Sequence, residues 1–164
     1  MMLKNKYLFV VLFLIIVIFQ ACSTAPIFHE NKDIAESKWD YKNPLGFEVS
    51  ITDTNKYCNS YINLRINADY KYSNIFIWIT TTLPDKTIEK ERVEFILQDE
   101  KGKWLGKSLG NIYSYQFQFK PRFKFNQSGI YTYLIEQNMR DEVLENVESS
   151  GLKIEFWSTE SKAW

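Results

Sequence analysis

Between Phe47 and Phe156 the chain is a succession of short runs in which bulky apolar residues alternate with polar ones, and that period of two constrains its fold more than any other feature. Successive side chains of an extended strand point to opposite faces, so a run of this kind buries its apolar half only as part of a sheet. Phe47, Val49 and Ile51 alternate with Glu48, Ser50 and Thr52, and Ile62, Leu64 and Ile66 with Asn63, Arg65 and Asn67. Ile75, Ile77 and Ile79 share their run with Phe76 and Trp78, a pattern that predicts a central strand covered on both faces. Leu83-Pro84-Asp85-Lys86 reads as a turn. Val93, Phe95 and Leu97 continue the pattern, as do Tyr113, Tyr115, Phe117 and Phe119, then Tyr131, Tyr133 and Ile135 after Gly129, and Leu152, Ile154 and Phe156 after Gly151. Roughly seven or more strands with turn residues between them predict an all-β, antiparallel two-sheet β-sandwich, immunoglobulin-like or jelly-roll-like. The stretch from Met139 to Ser149 reads as a short helix or a structured loop, its apolar positions being sparse.

A different pattern precedes the strands. Lys4 and Lys6 lead into an unbroken apolar run of 13 residues from Tyr7 to Phe19, followed by Gln20, Ala21 and Cys22. A helix crossing a bilayer needs about 20 apolar residues, so the run is a signal peptide and not a membrane span. A cysteine directly after a small residue marks a lipoprotein signal, in which the thiol is diacylated before cleavage. Phe19 stands where Leu is usual, as in the looser signals of Bacteroidetes. Two or three acyl chains on Cys22 would hold the protein to a membrane, since each buried methylene contributes about 0.8 kcal/mol. The expected organisation is a leader at 1–21, a lipidated Cys22 and flexible tether at 22–38, and the sandwich at 39–164.

Charge and chemistry narrow the function classes. Twenty basic residues balance 20 acidic ones, and composition suggests no electrostatic footprint for nucleic acid or for an anionic lipid surface. With Cys22 lipidated, Cys58 is the other cysteine and is expected to be a small buried hydrophobe. The single histidine, His29, falls in the expected tether, where nothing would orient it for nucleophilic catalysis. One His and one Cys do not make a zinc site, and no phosphate-binding loop or calcium-binding loop occurs. Asp99, Glu136 and Asp141 are the carboxylates that would have to converge for glycoside cleavage, but no pair is singled out by spacing. No catalytic residue, metal or cofactor is expected.

Three segments carry a resemblance. Tyr61 to Asn74 (YINLRINADYKYSN), Gly102 to Tyr113 (GKWLGKSLGNIY) and Ile135 to Asp141 (IEQNMRD) resemble successive motifs of the gliding motility lipoprotein GldH family of Bacteroidetes, in the same order and behind the same lipoprotein start. The sequence departs from the family pattern at Ile66-Asn67 and at Ser108. The resemblance implies a noncatalytic component of the gliding apparatus, linked to type IX secretion, with other gliding or secretion lipoproteins as partners. No acidic run follows Cys22 closely, and the expected location is the periplasmic face of the outer membrane.

Within those segments Arg65, Asp69, Tyr70, Tyr72, Asn74, Trp104, Arg140 and Asp141 form the candidate partner-binding set. Arg, Tyr and Trp dominate binding hot spots because each joins a large rigid contact to a polar handle. Gly102, Gly106 and Gly110 would let the loop display Trp104 at its tip. The alternative is architectural: Trp104 folds back to cap the sandwich, Asp69 and Asn74 satisfy turn backbone, and Arg65 pairs with a neighbouring strand. A second functional class is a carbohydrate-binding sandwich, whose signature would be two or three coplanar exposed rings on one sheet face.

Overall fold

The computed structural model describes residues 25–158, so the expected leader and Cys22 lie outside the described residues. Every strand pairing within them is antiparallel. In chain order the strands are β1 Phe28–Asp33, β2 Lys38–Asp40, β3 Leu45–Ile51, β4 Cys58–Asn67, β5 Asn74–Thr82, β6 Ile88–Ile96, β7 Lys107–Leu109, β8 Ile112–Phe123, β9 Gly129–Gln137, β10 Val143–Glu145 and β11 Val147–Phe156. They form one sheet in the order β1-β11-β4-β8-β7, a second in the order β3-β9-β5-β6, and a ribbon of β2 and β10. With β7 set aside as an addition to β8, the two four-strand orders and their connections are those of a jelly roll, which decides between the two sandwich types expected.

The alternating runs do what their period requires. Phe47, Val49 and Ile51 of β3, Ile75, Ile77 and Ile79 of β5, and Tyr131, Tyr133 and Ile135 of β9 are buried on the inner face of one sheet. Ile62, Leu64 and Ile66 of β4 and Leu152 and Ile154 of β11 meet them from the other, all in one apolar cluster. Each fully buried Ile, Leu or Val contributes about 1.5–3 kcal/mol relative to exposure, so this face is the main source of stability. Phe95 of β6 stacks on Phe117 of β8 with centroids 4.3 Å apart, closing the sandwich along one side. The ribbon closes one end: Trp39 and Leu144 sit opposite each other in register, each 1% exposed.

Three expectations change. The tether does not extend to residue 38: Phe28–Asp33 pairs along β11 from Ile154 to Ser149, and Phe28 packs edge-on against Phe47. A strand without strict apolar alternation was invisible to a periodicity argument, because β1 lies at a sheet edge and is held mainly by main-chain pairing. The sheet therefore begins well before Trp39, and His29 is a strand residue whose Nε2 lies 3.1 Å from Asn63 Nδ2. Residues 139–149 resolve into a structured loop, β10 and the start of β11, not a helix. β5 is central in its sheet, but its outer face has no second layer; Arg92 lies 3.9 Å from the Phe76 ring centre and Lys90 4.8 Å from that of Trp78, covering half-buried rings with cations.

The topology also gives the molecule two distinct ends. β1 begins and β11 finishes at the same end, together with loops 52–57, 83–87 and 124–128. Loops 34–44, 68–73, 97–106 and 138–142 lie at the other.

Candidate protein-binding site

The end remote from the start of β1 gathers most of the expected binding residues, because the connections that carry them all turn there. After β4, the Asn67 side chain accepts the Asp69 N–H at 3.0 Å, and the Tyr70 N–H donates to the Asn67 carbonyl at 3.2 Å. This tight turn sends Tyr70 back into the core, 4% exposed, where its hydroxyl donates to the Asn74 carbonyl at 3.1 Å. Burial, with Tyr72 and Asp141 adding negative charge nearby, pushes the Tyr70 phenol well above its usual range. Tyr72, edge-on to Tyr70 at 6.1 Å, donates its hydroxyl to Asp141 Oδ2 at 2.7 Å. That bond, reinforced by Lys71 at 3.4 Å, holds the Asp141 carboxyl below the ordinary carboxylate range.

Trp104 joins this group from the loop between β6 and β7. Asp99 Oδ1 accepts the N–H groups of Lys101 and Lys103 at 2.9 Å each, and Gly102, at φ 79°, completes a turn that brings Trp104 into a bridge with Gln98. The indole is half-buried, 5.4 Å from Tyr113 and 6.4 Å from Tyr70. It therefore caps the sandwich instead of projecting from a loop tip. Of the glycines expected to display it, Gly102 and Gly110 have positive φ, whereas Gly106 is where the Tyr115 ring packs against bare backbone.

Tyr70, Tyr72, Trp104 and Asp141 thus form one run of contacts, and exposed Arg140 flanks it. Arg140 and Asp141 also border a cavity of about 310 Å³ shared with Tyr41, Trp78, Glu136 and Glu142. The remaining candidates stand apart. Arg65 is exposed on the outer face of β4, opposite Ser114 and Ser149. Asp69 contributes main chain to its turn and leaves its side chain exposed, while Asn74 donates from Nδ2 to Glu94 at 2.6 Å.

Two residues of this site had no signal in the alternation. Lys71 lies between two tyrosines that face inward, and it reaches both the Tyr72 ring and Asp141. Gln137, 2% exposed, donates from Nε2 to the carbonyls of Asp141 and Glu142 at 3.0 and 3.1 Å and accepts the Met139 N–H at 2.8 Å. An amide in line with Tyr131, Tyr133 and Ile135 on the inner face of β9 is the signal that could have found it, since such a group survives burial only with its hydrogen bonds made.

Glu136 is paired with Lys90 at 3.5 Å, Asp141 with Lys71 at 3.4 Å, and Asp99 is occupied in its own turn, so each carboxylate named for glycoside cleavage has a partner of its own. Burial, then the Asp53 charge, raises the Cys58 thiol. Among the described residues no group of His, Cys, Asp or Glu is arranged to hold a metal ion. Phe76 and Trp78 share a sheet face, but the cations over them occupy the ring faces on which a sugar would stack.

Comparison with known proteins places the chain in a family. Residues 26–154 match the family described as GldH lipoprotein. The chain is 30% identical over 147 residues to a protein of Christiangramia forsetii named gliding motility lipoprotein GldH homolog, covering 85% of this chain and 90% of that one. It is 25% identical over 152 residues to the gliding motility lipoprotein GldH of Flavobacterium johnsoniae, covering 88% and 94% of the two chains.

Proposed function

The chain belongs to the GldH lipoprotein family, and from that premise we propose that it is a noncatalytic, membrane-anchored component of a gliding motility apparatus, linked to type IX secretion and acting through protein contacts. Its leader is residues 1–21, its anchor is lipid on Cys22, and it faces the periplasm from the outer membrane. The observation that carries this reading is the polarity of the jelly roll: the strand that follows the anchor starts at one end, and the Tyr70–Tyr72–Trp104–Asp141 run with Arg140 lies at the other. A protein held at one end and presenting Arg, Tyr and carboxylate groups at the opposite end is built to engage something away from the bilayer.

Crosslinking in living cells followed by purification of the tagged protein tests the proposal. Other gliding or secretion lipoproteins are expected to copurify with the wild type and to be depleted with Arg140→Ala or Lys71→Ala, both exposed positions whose loss leaves the core intact. Palmitate labelling that disappears in Cys22→Ser, together with cell fractionation, tests the anchor and its membrane. Copurification of none of that machinery, or unchanged recovery with both variants, refutes the contact surface.

A further inference from the structure

The end at which β1 begins is the anchor side of the molecule on the reading above, and it has its own surface. Arg122 stands between the Tyr57 and Trp157 rings, 5.1 and 4.8 Å from their centres, and Lys124 lies 4.7 Å from that of Tyr57. Lys56 sits 4.6 Å from the Phe156 ring centre. Tyr57 is 42% exposed, and Lys56, Arg122 and Lys124 are exposed as well. The Trp157 N–H donates to the Tyr57 carbonyl at 2.8 Å, tying the end of β11 to the start of β4.

This rim is built, not a chance scatter of side chains. The pairing of β4 with β8 shifts register between Cys58 and Tyr61, and there the buried Asn59 accepts the Arg122 N–H at 2.9 Å. Arg122 is held at φ 39°, a left-handed conformation that an arginine adopts only when its surroundings impose it. Part of the basic charge is left uncompensated. Lys56 is paired with Asp53 at 3.5 Å and Asp85 is engaged by its own turn, whereas Arg122 and Lys124 have no carboxylate partner among the described residues.

Chain length then dictates what this rim can meet. Because β1 begins at Phe28, five residues, 23–27, separate it from Cys22. Fully extended, that link reaches about 20 Å. β4 alone, with 10 residues, is about 33 Å long. The domain is therefore confined near the lipid in which Cys22 would be anchored, at a high effective concentration that makes weak contacts sufficient. Aromatic rings beside basic side chains are the groups that settle at the headgroup level of a bilayer, the rings at the interface and the cations on phosphate.

We infer that the rim of Tyr57, Trp157, Arg122, Lys124 and Lys56 seats the domain on the phospholipid headgroups of the membrane that anchors it, leaving the opposite end directed away from the bilayer. The inference rests on lipidation of Cys22. To separate the two, the mature lipoprotein is reconstituted into phosphatidylethanolamine and phosphatidylglycerol vesicles carrying bromine high on the acyl chains. Flotation reads the anchor, and quenching of Trp157 emission, taken as the difference from Trp157→Phe, reads the seating. The wild type is expected to float and to show Trp157 quenching that weakens as salt is raised. Arg122→Glu combined with Lys124→Glu, both at exposed positions, is expected to float equally and to lose that quenching. A wild type that floats without Trp157 quenching, or a double variant quenched like the wild type, overturns the seating and leaves the anchor standing; the first of these results is also what coverage of the rim by a protein would give. A wild type that does not float overturns the anchor and the inference with it.

Discussion

Replacing Gly151 with alanine strikes at the contact that holds β1 against the sheet. Gly151 lies opposite Asn31 of β1 and Asn63 of β4. A Cβ there would overlap Asn31 Oδ1 and come within 2.5 Å of the Glu30 carbonyl oxygen and 2.9 Å of Asn31 Cα. The amide of Asn31 can rotate away, but the other two atoms are main chain and move only if β1 moves. Overpacking of a close-packed site costs about 1–3 kcal/mol, and with no side-chain escape the upper end applies, so a loss of about 3 kcal/mol is expected. The ceiling is what β1 itself contributes, because the sheet can shed this edge strand and keep the rest. Urea denaturation measures the loss, and hydrogen exchange locates it: amides of Phe28–Asp33 should lose protection while those of β4, β5 and β9 keep theirs. Release of β1 would lengthen the link after Cys22 through Asp33 and about double its reach, to roughly 40 Å. A variant within about 0.5 kcal/mol of the wild type, with residues 28–33 still protected, would refute the reasoning.

Other perturbations probe the site and the core. Gln137→Leu preserves size but strips the hydrogen bonds to Met139, Asp141 and Glu142, and is expected to cost about 3 kcal/mol in urea titration and to loosen loop 138–142 in hydrogen exchange. Tyr72→Phe removes the hydroxyl that chiefly lowers the Asp141 carboxyl, so its titration, followed by carboxyl NMR, should move up toward the ordinary range. A carboxyl lowered in the folded state contributes stability above its unfolded pKa and loses it as pH falls through the folded one; the variant's deficit should therefore be present at neutral pH and vanish in acid. Cys58, with its thiol raised by burial and by Asp53, should resist a thiol reagent at pH about 8 in the native protein and react at once in denaturant.

Which parts of this were legible beforehand follows from where the information lies. The inner faces of β3, β4, β5, β9 and β11 were readable because burial of one sheet face forces a period of two onto the chain itself. The candidate residues were readable as types, and the turn that inserts Tyr70 follows from local Asn-Ala-Asp chemistry. β1 was not readable, since an edge strand held by main-chain pairing needs no apolar pattern, and with it went the point at which the sheet begins. Nor was the fate of Trp104: a loop tryptophan flanked by glycines is compatible with display or with capping, and only the positions of Tyr70, distant in the chain, and of Tyr113 on the next long strand make capping the lower-energy choice.

By itself, then, the sequence determined the long inner strands and the apolar face of each, because these are local properties written in period and composition. The order of those strands, the jelly roll over the immunoglobulin-like alternative, and the separation of an aromatic and basic rim from the Tyr70–Tyr72–Asp141 end were decided only in three dimensions. Alternation says which face is buried but not which strand lies alongside; that choice is made by pairing between segments far apart in the chain, where loop closure and the fit of both apolar faces are settled together.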